Sequence, residues 1–75
     1  MFDEHELVVL ARDLPEYELV AGDVGTVVGS YGNGGYEVEF MTAEGRTIAV
    51  ATLSDTDIRR CTAREILHVR SVAPA

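Results

Sequence analysis

The chain has 75 residues, of which 13 are acidic and six are arginines, and its net charge at neutral pH is −7. A chain of this length forms one small domain (residues 1–75), close to the lower limit at which a single hydrophobic core maintains a fold. The acidic balance disfavours nucleic acid as a ligand, since phosphate backbones are bound by clustered Lys and Arg. It favours a protein partner with a basic surface.

The sequence also indicates a soluble, cytoplasmic protein. Cys61 is the single cysteine, so an internal disulfide is impossible and a reducing compartment is favoured. The start "MFDEHEL" is acidic, whereas a signal peptide begins with a basic segment, and the apolar run "LVVL" is far shorter than a membrane span. Residues 1–4 and 73–75 are expected to fray.

The first third of the chain predicts a buried strand and a loop. Residues 7–11, "LVVLA", form a dense apolar run that is typical of a buried strand, with Phe2 packing beside it. Pro15 excludes a central strand in the segment that follows, where we expect a loop with one helical turn beginning at Leu14 or Pro15. Gly22 is expected to supply the positive φ of a turn before the next strand.

Residues 23–31 and 36–41 form the next two strands, joined by the hairpin signal "NG". A type I′ turn needs φ > 0 at both central residues, which predicts Asn33 and Gly34 at the corner. The resulting register pairs Tyr31 with Tyr36, Gly29 with Val38 and Val27 with Phe40.

The fourth strand, "RTIAVATL", follows a turn in which Gly45 is expected in the left-handed conformation. Its predicted register pairs Phe40 with Ile48, Val38 with Val50 and Tyr36 with Thr52. One face of the sheet would then be a core made of Val27, Val38, Phe40, Ile48 and Val50. The reverse face would hold Val28, Glu37, Glu39, Met41, Ala49 and Ala51.

The C-terminal third predicts a turn at "SDTD", a short strand at "IRRC" and a capping box at "TARE". The tail "EILHVRSV" fits both helical and strand spacing, and we favour a helical turn at 63–66 followed by a closing strand. Gly25 and Gly29, on the inner face of the second strand, allow the sheet to bend and close. The fold prediction is all-β: a small five-stranded SH3-like barrel with one short helical turn.

The segments "LARDLPEYELVAGDVGTVVGSYGNGGYEVEF", "TIAVATLSDTDIR" and "EILHVR" resemble a bacterial family, domain of unknown function 4926, over residues 6–70. The resemblance implies an SH3-like barrel and brings no catalytic residues with it. The family's association with genes beside toxin-like products suggests an antitoxin or immunity role. "GDVGTVVGSY" is more loosely similar to KOW-type modules, although the acidic, lysine-free composition departs from their nucleic-acid-binding surface.

No motif predicts catalysis, a cofactor or a metal site. "DEHE" is interpreted as a solvated acidic tail, because adjacent residues near a terminus rarely converge on a metal. Cys61 is interpreted as a structural thiol and "GNGG" as a hairpin turn. The arginines clustered at 59, 60, 64 and 70 are expected to pair with the surplus carboxylates.

The leading hypothesis is therefore a non-catalytic protein-binding module that uses its acidic outer sheet face. Small and aliphatic residues among glutamates suit such a face, because apolar contact supplies affinity and charge selects the partner. The candidate binding residues are Glu37, Glu39, Val28, Met41, Ala49 and Ala51, with Tyr17 and Tyr31 as rim aromatics. The alternatives are an accessory subunit or homo-oligomer assembled through the same face, and a KOW-like nucleic-acid-binding module.

Overall fold

The computed structural model describes residues 1–72 as one five-stranded antiparallel sheet. The strands are β1 (Leu7–Leu10), β2 (Val24–Ser30), β3 (Gly35–Met41), β4 (Thr47–Ser54) and β5 (Ile58–Arg60). They lie in the order β4-β3-β2-β1-β5. A 3-10 turn at Pro15–Tyr17 and a positive φ of 97° at Gly22 confirm the two features predicted between β1 and β2. The predicted all-β, five-stranded fold is confirmed.

The sheet curls around a single core to which every strand contributes. β4 and β5, the two ends of the sheet, both place buried side chains in this cluster, so the sheet bends back on itself. The buried members of the core are Phe2, Val8, Leu10, Leu14, Leu19, Val27, Tyr36, Val38, Phe40, Ala51, Leu53 and Ile58.

Phe2, in the N-terminal segment 1–4 where we expect fraying, packs into the core. Phe2 is buried and packs edge-on against Tyr36 with ring centroids 5.4 Å apart, and its backbone N–H donates to the Tyr36 hydroxyl. The Arg60 guanidinium covers the other side of the Phe2 ring at 4.7 Å. Burial of an aromatic ring therefore outweighs the acidic composition of this segment. Residues 73–75 lie outside the described part of the chain.

The register predicted for β2 and β3 is wrong, although Val27, Tyr36, Val38 and Phe40 face the core as predicted. The positive φ angles occur at Gly32 and Gly34, and the Tyr31 N–H donates to the Gly35 carbonyl, which gives a longer loop than a two-residue type I′ turn. A bulge between Val27 and Gly29 then shifts the pairing again. The observed pairs are Ser30 with Tyr36, Gly29 with Glu37, Val27 with Val38 and Thr26 with Glu39.

The register of β4 is also wrong, and here the error exchanges the two faces. The turn is as predicted, with Gly45 at φ 90° and Met41 opposite Thr47. A bulge at Ile48 then shifts the remaining pairs by one residue, and a shift of one moves each side chain to the other face. The observed pairs are Phe40 with Ala49, Glu39 with Val50, Val38 with Ala51, Glu37 with Thr52 and Tyr36 with Leu53.

The C-terminal segment forms neither the helix nor the closing strand that we expected. A turn at residues 63–64 is followed by an extended tail through Val72 with no strand pairing. Half of the predicted capping box is present, because the Glu65 carboxylate accepts a hydrogen bond from the Thr62 N–H at 2.8 Å. The turn ends there, because Glu65 also holds the Arg59 guanidinium through two hydrogen bonds and so keeps this segment beside β5.

Gly25 lies where β2 packs closely against side chains of β3. A Cβ at this position would lie 2.7 Å from Val38 Cγ1 and 2.8 Å from Phe40 Cε1, far inside normal contact distance. A Cβ at Gly29 would meet only the Glu37 side chain, at 3.6 Å. The sequence prediction placed both glycines on the inner face, and the bulge in β2 leaves only Gly25 there.

We therefore expect Gly25→Ala to destabilise the protein by about 1–3 kcal/mol, because it overpacks the core. Gly29→Ala is the matched control in the same strand and should change the free energy of unfolding by less than about 0.5 kcal/mol. Urea denaturation followed by circular dichroism measures both. Equal effects of the two substitutions would contradict the close approach at Gly25.

Candidate protein-binding face

The convex side of β2, β3 and β4, which we call the outer face, combines exposed aliphatic residues with two glutamates. Four aliphatic side chains are exposed there by 36–48% of their surface: Val28, Met41, Ile48 and Val50. Glu39 lies between Thr26 and Val50, and Glu37 lies between Gly29 and Thr52. The outer face is thus more apolar than the sequence prediction, because the shifted register turns Ile48 and Val50 outward.

The two glutamates are held in place by threonines rather than by cations. The Thr52 hydroxyl donates to the Glu37 carboxylate, and the Thr47 hydroxyl donates to the Glu39 carboxylate. Among residues 1–72, neither glutamate forms an ion pair. Each carboxylate is therefore positioned by a neighbouring strand and keeps acceptor sites that its threonine does not occupy.

Tyr31 lies at the edge of this face, as predicted. Its side chain is exposed, and the neighbouring Glu37 carboxylate raises the pKa of the phenol because a hydrogen bond to the carboxylate favours the protonated form. Tyr31 thus presents an exposed aromatic ring beside the Glu37 carboxylate.

Three of the predicted binding residues do not lie on this face. Ala51 is completely buried and Ala49 packs against the core, because the bulge at Ile48 turns both inward. Tyr17 packs against the core from the 3-10 turn that precedes β2. The prediction was wrong for Ala49 and Ala51 on the outer face and for Tyr17 at its rim, whereas Val28, Met41, Glu37 and Glu39 are exposed or half-buried on this face.

The C-terminal arginines pair with carboxylates, which confirms the prediction for three of the four. Arg59 binds Glu65 at 2.7 Å, Arg60 binds Glu6 at 2.6 Å and Arg70 binds Asp23 at 2.6 Å. Each pairing removes a cation from any phosphate-binding edge. The half-buried Cys61 thiol lies next to this network.

Within residues 1–72, no three His, Cys, Asp or Glu side chains converge in a way that could hold a metal ion. No helix in this part of the chain has the length and apolarity needed to cross a membrane.

Comparison with known proteins assigns the family. The family model described as "Domain of unknown function (DUF4926)" matches residues 4–60, which is most of the chain. This chain is a DUF4926 protein. The match covers all five strands and the whole outer face. No curated protein and no solved structure matches the chain.

The DUF4926 match ends at Arg60, where β5 ends, so the tail (residues 61–72) lies beyond it. The resemblance read from the sequence had extended to residue 70. The tail lies over the part of the sheet next to the outer face. There Val9 is buried although it does not belong to the main core. Val9 of the sheet and Leu67 of the tail line a shared cavity of about 180 Å³. Ile66 and Val69, in contrast, are exposed by 92% and 88%.

A second, larger cleft lies between the tail and the end of the sheet where β3 turns into β4. Its volume is about 360 Å³, and its lining is mostly apolar. The residues that line it include Leu19, Val24, Phe40, Met41, Ile48, Leu67, Val69 and Val72. Met41 and Ile48 also belong to the outer face, so the cleft extends that face toward the tail. The sequence prediction missed this cleft, because the tail was expected to complete the sheet.

Two carboxylates connect the tail to the rest of the molecule. The Arg59 guanidinium, and then the Thr62 N–H, lower the pKa of Glu65 from 4.5 to about 2. The Arg70 guanidinium lowers the pKa of Asp23 in the same way. Arg70 also donates to the Glu18 carbonyl, so this contact fixes the tail to the loop before β2.

We expect the tail to detach in acid, because a carboxyl group with a depressed pKa in the folded state stabilises that state only while it is ionised. The stabilisation by Glu65 is complete above about pH 4.5 and is lost as the pH falls toward 2. Methyl chemical shifts of Val9 and Leu67 should report the detachment in that pH range. In Glu65→Gln at pH 7 these shifts should move part of the way toward their low-pH values, because the ion pair of Arg70 with Asp23 still holds the tail, whereas Glu44→Gln, at an exposed site, should behave as the wild type. Identical shifts in Glu65→Gln and wild type would contradict this role.

Proposed function

We propose that this DUF4926 chain is a non-catalytic protein-binding module whose outer face binds a protein with a basic surface. The observation that carries the proposal is the pair of unneutralised carboxylates, Glu37 and Glu39, held by threonines among exposed aliphatic side chains. The barrel, of SH3-like type, presents this face on rigid strands and acts in the cytoplasm.

The composition of the face suits a protein better than a small molecule or a nucleic acid. Val28, Met41 and Val50 offer apolar area that a partner can cover, and such area is the main source of affinity. The glutamates select for Arg or Lys on the partner, since a like-charged surface would be repelled. At a net charge of −7, the whole molecule attracts a basic partner over distance.

The partner that we propose to test first is the product of the neighbouring gene, in an antitoxin or immunity role. A basic toxin that acts on nucleic acid needs its cationic surface exposed, and an acidic sheet that covers this surface would block it. The alternative KOW-like role has lost support, because the described ion pairs occupy Arg59, Arg60 and Arg70. Assembly into a homo-oligomer through the same face would bring Glu37 and Glu39 of two copies together, which is unfavourable without intervening cations.

Charge reversal of both glutamates, Glu37→Lys with Glu39→Lys, tests the proposal. We expect the double variant to fold with a similar melting temperature and to bind the partner at least about tenfold more weakly, because it places like charges against the partner. Co-expression with the neighbouring gene product, capture by a tag and titration of the purified complex measure the affinity.

Glu4→Lys with Glu16→Lys is the matched control, since it changes the net charge equally at exposed positions away from the outer face. Its affinity should fall far less than that of the outer-face variant. Equal losses in both variants would show that only net charge matters, and unchanged affinity in the outer-face variant would refute the proposed site.

A further inference from the structure

Within residues 1–72, the outward edge of β4 has no strand beside it. In this part of the chain β4 pairs with β3 alone and is the last strand on its side of the sheet. Among residues 1–72, the backbone hydrogen bonds outside the strands reach β4 only at its ends, in the turns before Thr47 and after Ser54. Within the described residues, alternate N–H and C=O groups along the middle of this strand therefore have no backbone partner, and such an edge is a template for another strand.

The composition of β4 lacks the usual protection of an open edge. Its eight residues, "TIAVATLS", contain no charge, no proline and no glycine, and half of them are β-branched. Natural proteins normally place lysine, proline or a short strand at an exposed edge to prevent pairing. Although 25% of the residues in the chain are charged, none lies in this edge strand, which indicates that another strand pairs with it.

The charges at the two ends of β4 identify that occupant as a second copy of the chain. Arg46 precedes the strand and Asp55 follows it, and neither forms an ion pair within residues 1–72. If two β4 strands pair antiparallel about Val50, each Arg46 lies beside Asp55 of the other copy. The same register places Ile48 opposite Thr52 and Val50 opposite Val50, all on the outer face, so that like faces meet.

The other end of the sheet explains why such pairing would stop at two copies. β5 has only three residues, two of them arginines. Arg60 donates to the Met1 carbonyl, and Arg59 is held by Glu65, so side chains and the tail surround this edge. A β4-to-β5 contact would propagate into a filament, whereas a β4-to-β4 contact is two-fold symmetric and closes.

We propose that the chain forms a symmetric dimer through antiparallel pairing of its β4 edges, with Val50 on the two-fold axis. The two sheets then join into one continuous ten-stranded sheet, which doubles the outer face. The dimer does not depend on whether that face binds a basic partner. Because each copy carries a charge of −7, added salt should strengthen the dimer by screening repulsion. Binding to a basic partner would respond to salt in the opposite direction.

Sedimentation equilibrium over a range of protein and salt concentrations tests the dimer. The wild type should approach twice the monomer mass of 8.1 kDa, and more so at high salt. Val50→Lys places two like charges at the axis and should give a monomer over the same range. Val28→Lys, equally exposed on the same face but on an inner strand, should dimerise as the wild type does.

The end charges supply an independent test of the register. Arg46→Asp and Asp55→Arg should each weaken the dimer by roughly three- to tenfold, since each loses two exposed ion pairs and gains like-charge contacts. The double variant should regain the wild-type dissociation constant, because both exchanged charges meet again across the axis. A wild type that stays monomeric at millimolar concentration, a dimer lost in Val28→Lys but kept in Val50→Lys, or additive losses in the double variant would each overturn the proposal.

Discussion

The register of β4 against β3 determines the rest of this molecule, because it decides which side chains of an almost wholly apolar strand enter the core. On the inner side of the sheet, the small side chains of Ala51 and Ala49 in β4 lie opposite the larger side chains of Val38 and Phe40 in β3. The sheet can therefore curl tightly enough to bring β5 to the same core. Gly25 provides the matching space on β2, where any side chain would collide with Val38 and Phe40.

The same register gives the outer face its chemistry. Ile48 and Val50, turned outward, join Val28 and Met41 around two glutamates that threonines of β4 hold in place. A strand that supplied its larger aliphatic residues to the core would leave an alanine-lined, weakly interacting surface. The proposed partner-binding face and the proposed edge pairing both use β4, one through its side chains and the other through its backbone.

Sequence patterns were sufficient for the five strands and for the turns at Pro15, Gly22 and Gly45, and insufficient for the β2–β3 turn, the tail and the registers. The positive φ angles at Gly22 and Gly45 and the turn at Pro15 follow from local residue chemistry, which the sequence displays directly. The face occupied by Val50 depends on a bulge at Ile48, and a bulge follows from how the whole core packs rather than from any local signal. "TIAVATL" is apolar in both alternations, so side-chain size favoured burying the valine, whereas the space beside Phe40 and Val38 required alanine.

The position of the tail could not be predicted from the sequence, for a different reason. "EILHVR" fits a helix and a strand equally well, and its position is set by ion pairs to residues far away in sequence, Arg70 to Asp23 above all. One sequence cannot show which carboxylate each arginine binds over such a distance, because there are 13 carboxylates for six arginines.

Cysteine accessibility along β4 tests the central claim most directly. In a Cys61→Ser background, single cysteines at positions 50 and 51 are exposed to a thiol reagent under native conditions, and the labelling rates are compared with those of the unfolded chains. The register described here predicts rapid labelling of Val50→Cys and strong protection of Ala51→Cys, which is buried next to Val38. The reverse pattern would contradict the register, and with it the outer face and the edge pairing that depend on it.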